Sequence, residues 1–185
     1  AESGGAARER IFSVPALAVS DGSRNYAILH TRNSPFRLDD SAESWKAVTA
    51  EVEFGGERAE VKKLGFLGSD PRLLAVHLPE HFVEVSKVEA FSVAADPFRF
   101  PEAILVGSER GYYGESPFKI DPEKSHLLRL QTRLFNRLFG EFSPSRGDLV
   151  FAKSGEILGI MVNNQFCLRL GDFRSLSLTL GDEFD

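Results

Sequence analysis

The sequence predicts an all-β fold, a sandwich or barrel built from many short strands, and three observations carry that prediction. Short runs of alternating or β-branched residues recur along the 185-residue chain. Turn residues separate them at close intervals, a rhythm that fits a sandwich or barrel better than alternating β and α units. Phenylalanine is also in excess, with 16 copies against three Tyr and one Trp. Rings without a polar handle mostly fill cores, so the excess argues for thick apolar packing before it argues for a ligand site.

Taken in order, Ile11 to Val19 reads as a first strand, Ser20-Asp21-Gly22-Ser23 as a turn, and Asn25 to Thr31 as a second strand. Val48, Ala50, Val52 and Phe54 alternate with Thr49, Glu51 and Glu53, and Gly55-Gly56 then turns the chain into Ala59 to Leu67. That pattern is a hairpin. Leu73 to Leu78 is a short apolar run of the kind found in buried strands. Val88 to Ala94, Glu102 to Gly107 and Asp148 to Phe151 read similarly, and Glu156 to Val162 and Phe166 to Leu170 flank an Asn163-Asn164 turn. The stretch from Ala95 to Pro101 is the best candidate for a junction between two halves.

One segment supports two readings. Asp121-Pro122-Glu123 has the chemistry of a helix cap with proline at the first helical position. Leu127, Leu130, Leu134, Leu138 and Phe142 follow near helical spacing, which allows a short helix within 122–139. Leu128, Leu130, Thr132 and Leu134 equally alternate with Arg129, Gln131 and Arg133, as a strand requires. Period alone leaves both open.

The chain's ordinary composition and its net charge of -5 oppose a duplex nucleic-acid binder, which needs a clustered positive footprint. No apolar run is long enough to span a membrane as a helix. The start at Ala1 without methionine suits a processed chain. Cys167 is the one cysteine, which excludes an intramolecular disulfide, and its apolar setting reads as core rather than nucleophile. His77 and His81 are separated by Pro79, so a helical metal pair is not expected, and Asp39-Asp40 and the tail acids Asp182, Glu183 and Asp185 lack a calcium loop. No metal or cofactor is expected. Arg129, Arg133, Arg137 and Arg146 form either a solvated face or a cationic stripe for an acidic partner.

The C-terminal third carries a resemblance. Ser143 through Ile160, with Arg146-Gly147-Asp148-Leu149-Val150-Phe151 and Gly155-Glu156-Ile157-Leu158-Gly159-Ile160 at its centre, resembles the nucleophile region of trypsin-like serine proteases, the high-temperature-requirement branch in particular. There, a glycine-rich turn aims backbone N–H groups at an oxyanion, and two strands brace it from behind. Upstream, Asp70-Pro71-Arg72-Leu73-Leu74-Ala75-Val76 is similar to the stretch around the family's triad aspartate, and Tyr26 to Asn33 to the strand leading into its histidine. The resemblance implies two packed six-stranded antiparallel β-barrels of trypsin-like type in a single domain, an N-terminal barrel over about 11–94 and a C-terminal barrel over about 102–180. On that match the histidine, aspartate and serine positions hold Asn33, Leu73 and Arg146. A shift of one residue places Ser145 at the nucleophile, without the surrounding glycines. His30 falls on the strand itself and is given no catalytic role.

Loss of the attacking group and of the groups that activate it removes several orders of magnitude in rate. The resemblance therefore implies a catalytically inactive protease-like domain with no catalytic residues, acting as a binding module or scaffold for a peptide or protein partner within a larger protein. A hydrolase with a non-standard catalytic arrangement is the alternative. The family also suggests a periplasmic or other envelope-facing location.

Overall fold

A computed structural model describes residues 9–31, 34, 48–67, 70–107, 111–131, 144–171 and 175–179. The N-terminal half contributes β1 (Leu17–Ser20), β2 (Asn25–His30), β3 (Glu51–Phe54), β4 (Glu57–Glu60), β5 (Lys63–Leu67), β6 (Asp70–His77), α1 (Glu80–Ser86) and β7 (Phe91–Ser92). The C-terminal half contributes β8 (Glu102–Gly107), β9 (Gly111–Ile120), β10 (Leu127–Leu130), β11 (Leu149–Ala152), β12 (Ile157–Met161), β13 (Phe166–Arg169) and β14 (Ser175–Thr179). The fold is mostly β, as the strand rhythm predicts.

Strands β8 to β13 close a six-stranded barrel in the order β10-β13-β12-β11-β8-β9. Its interior is filled by Leu105, Leu128, Leu130, Val150, Leu158, Met161 and Cys167, all buried. A second closed barrel was expected in the N-terminal half; among the described residues it is a six-stranded sheet, ordered β14-β5-β6-β2-β1-β7. Two of its details also depart from the expected arrangement. Strand β14 lies within the span given to the C-terminal barrel yet pairs with β5, from Ser175 opposite Leu67 to Thr179 opposite Lys63. Strand β7 runs parallel to β1, so the sheet is not wholly antiparallel.

Why β6 is apolar without alternation follows from its place in the middle of that sheet. Leu73 and Ala75 join Val19, Ile28 and Leu67 in a cluster that meets Leu127, Ile157, Ile160, Val162, Leu168 and Leu170 of the barrel. Leu74, Val76 and Leu78 join a second cluster with Ala27, Leu64 and Phe82, covered by Val52 and Ala59 of the β3–β4 hairpin. Both faces of the strand are buried, so a continuous apolar run is what the position requires.

The ambiguous segment resolves as strand β10, paired with β9 on one side and β13 on the other. The capping chemistry read at Asp121 is nonetheless present: its Oδ1 accepts the N–H groups of Glu123 and Lys124 at 3.0 and 2.9 Å. It closes the β9–β10 loop instead of starting a helix. The sequence beyond Gln131 up to 143 lies outside the described residues, including Arg133, Arg137 and most of the span allowed for a helix. The observed helix, α1, follows Pro79.

Candidate functional site

The turn before β11 is where the resemblance placed a nucleophile. Gly147 takes a left-handed conformation with φ of 92°, so the position requires glycine or tolerates strain. The Ser145 N–H donates to Asp148 Oδ2 at 2.6 Å, and the Asp148 N–H donates back to the Ser145 carbonyl at 3.1 Å. The Gly147 N–H donates to the Met161 carbonyl at 2.8 Å, and the Met161 N–H to the Asp148 carbonyl at 2.8 Å. Arg146 is exposed, and its Nε donates to the Val162 carbonyl at 3.2 Å. The turn is therefore stitched to the end of β12, and its Ser145 and Gly147 amides are engaged within the fold. Asp148 is buried at 2% exposure. A carboxylate there repels an oxyanion and uses up a donor that an oxyanion would need.

Leu73, at the matched aspartate position, is 1% exposed and sits in the apolar seam between sheet and barrel. It pairs in register with His30, the last residue of β2. Asn33 lies outside the described residues, so its relation to Leu73 and Arg146 is not part of the described geometry. Ser145 is exposed beside Arg146. Cys167 is fully buried in the barrel, and burial pushes its thiol well above the ordinary range, consistent with a core residue. His77 is exposed and stacks edge-on against Tyr26 at 5.8 Å, on the strand before Pro79, while His81 is on α1. Among the described residues no three His, Cys, Asp or Glu side chains cluster as metal ligands.

The sequence reading did not anticipate the half-buried ion pair at the start of β6, between buried Asp70 and exposed Arg72. Asp70 accepts from Arg72 Nε at 2.8 and 3.0 Å, from the Arg72 N–H at 3.0 Å, and from Arg72 Nη2. Burial opposes ionisation of Asp70, but the hydrogen bonds and charge of Arg72, with a contribution from His126, outweigh it and hold the carboxyl below its usual range. The signal was available in the i, i+2 spacing, which puts both side chains on one face of a strand.

The seam between the halves is packed, and open space lies at its rim. A shallow groove of about 310 Å³ is lined by Asp21, Val93, Pro97, Phe98, Arg169 and Leu170, among others. It joins the β1–β2 turn, the segment after β7 and the end of β13. Asp21 is fixed there: its Oδ1 accepts the N–H groups of Ser23 and Arg24, both at 2.8 Å. Burial works against its charge, and those hydrogen bonds prevail, so its carboxyl lies below the usual range. The neighbouring edge strand β7 leaves Phe91 and Ser92 exposed.

No protein-family model matches the chain. No curated protein matches it either. Among solved structures, it is similar to a catalytically inactive tobacco etch virus protease complexed with substrate, at 10% identity and a TM-score of 0.43, over 85% of this chain and 71% of that one.

Proposed function

We propose that this chain is a catalytically inactive, trypsin-like protease domain that holds an extended peptide or protein segment, within a larger protein, at the rim groove between its two halves. The observation that carries the reading is Leu73. An aliphatic side chain sealed in the seam has no acceptor with which to orient a histidine, His30 opposite it included. The engaged amides of Ser145 and Gly147 support the same reading. The groove offers apolar walls, a fixed carboxylate at Asp21 and a guanidinium at Arg169, and β7 offers a short edge for strand addition.

A hydrolase with a non-standard arrangement is the second reading, favoured by the exposure of Ser145 in its turn. A fluorophosphonate probe and a mixed-sequence peptide library separate the two. The inactive domain leaves the probe unreacted and the library uncut, while library peptides selected for binding shift the amide resonances of residues 91–98 and 169–171. Peptide cleavage that disappears in Ser145→Ala overturns it.

A further inference from the structure

The outer face of the β9–β10 pair carries an arrangement that nothing in the proposed function uses. Lys119 and Arg129 stand directly opposite each other across the two antiparallel strands. Opposed side chains on one face of such a pair lie about 5 Å apart at Cβ, and like charges in that position destabilise the pair. Both residues are exposed, and no acidic side chain forms an ion pair with either among the described residues. The chain as a whole is acidic, at net -5, so counter-charges are plentiful elsewhere. The contrast with Lys153 is direct: it too sits on the barrel, and it holds Glu102 and Glu115 at 3.0 and 2.9 Å.

The opposed cations border a groove of about 400 Å³ whose other walls are Gln131, Gln165, Ile120, Pro122 and Leu130. Its polar walls are two amides, able to donate and accept, and its apolar walls are aliphatic. The backbone fixes its shape on both sides. The Leu130 N–H donates to the Gln165 carbonyl at 3.0 Å, and the Gln131 N–H to the Pro117 carbonyl at 2.7 Å. The nearby acids do not fill it. Asp121 turns its Oδ1 into its own loop, and Glu123 is exposed in that loop outside the groove lining.

We infer that this groove is a second binding site, which takes the carboxylate side chains of an extended acidic peptide segment, with Lys119 and Arg129 as its anion-binding pair. A volume of this size exceeds what a small inorganic anion fills. The mixture of cations, amides and aliphatic walls matches glutamate side chains carried on a peptide backbone. The site shares no lining residue with the rim groove and does not depend on it.

The test uses the full chain and a decaglutamate peptide, followed by amide resonances and by anisotropy at two salt concentrations. The parent chain is expected to bind saturably, with shifts confined to residues 119–120, 129–131 and 165 and affinity falling steeply with salt. Lys119→Gln and Arg129→Gln each weaken binding roughly tenfold, about 1.4 kcal/mol, while melting at or above the parent temperature because a like-charge contact is relieved. Unchanged binding in both variants overturns the proposal, as does the lack of saturable binding by the parent. Variants that melt below the parent overturn it too, since the cations would then be stabilising the fold itself. Inorganic phosphate shifting these amides where decaglutamate does not would assign the pair to a small anion and overturn the peptide assignment.

Discussion

The two halves of this molecule solve the same problem differently. The barrel closes on itself, so its strands have no free edges and one interior core satisfies all of them. The N-terminal sheet does not close among the described residues, and both its faces are covered by other elements. The barrel covers one face through the seam, and the β3–β4 hairpin with α1 covers the other. A closed barrel can therefore tolerate damage elsewhere, whereas the sheet depends on neighbours at every face. Leu73 packs in that seam, 1% exposed, among side chains of both the sheet and the barrel.

The largest expected effect comes from placing an acid in the seam. Leu73→Asp places a carboxylate among the apolar side chains of the seam and should cost about 4 kcal/mol, read by urea denaturation. A near-neutral result would mean the seam admits water. Close behind is Gly159→Ala in the barrel. A Cβ there would lie 2.1 Å from the Leu168 carbonyl oxygen and 2.5 Å from Cys167 Sγ, so a loss of about 3 kcal/mol is expected from overpacking, measured by thermal melting.

Phe82→Ala sharpens the comparison between halves. It removes the anchor of the outer cover, at about 3 kcal/mol. Hydrogen exchange should accelerate in β3, β4, α1 and the sheet while barrel amides stay protected. Equal acceleration in both halves would make them one cooperative unit. Asp148→Ala unpairs the Ser145 N–H and should cost about 1–3 kcal/mol, with exchange increased at residues 145–147.

The smallest effect is a matter of pH. Folding lowers the Asp70 carboxyl below its ordinary value, so the Asp70–Arg72 pair stabilises the fold above the unfolded value, near 3.8. That contribution is lost as pH falls through the folded value. Arg72 is nearly half exposed, so solvent screening limits the contribution to about 1 kcal/mol. Stability should drop less between pH 6 and pH 3 in Asp70→Asn than in the parent; an identical drop would show that the pair contributes nothing.

What was legible in the sequence had a local cause. The Gly55-Gly56 hairpin, the Asp21 turn and the Asn163 turn, where Oδ1 accepts two N–H groups at 2.8 Å, are each decided within a few residues. Strand β9 was missed because Gly111, Gly114 and Pro117 break strand propensity. The barrel overrides that, pairing Pro117 with Glu102 and accepting a bulge between Leu105 and Val106. Helix α1 was missed because seven residues give too little periodicity, and Pro79, which argued against aligned histidines, stands at its N-cap. Position 121–130 held helix-like capping chemistry, and pairing with two neighbouring strands decided it. As for the site, Leu73 and Arg146 could be named from the resemblance, but burial in the seam and the donors claimed by Asp148 and Met161 depend on contacts between distant segments.

Strand β14 gives the molecule a sense of time. Ribosomes deliver the N-terminal half first, and domains generally form in that order. Here β5 waits for a partner that emerges only after every strand of the barrel has been made. Until then its edge is open to any other extended chain. The molecule is thus assembled as a ring of dependencies, in which the first sheet begun is the last one finished.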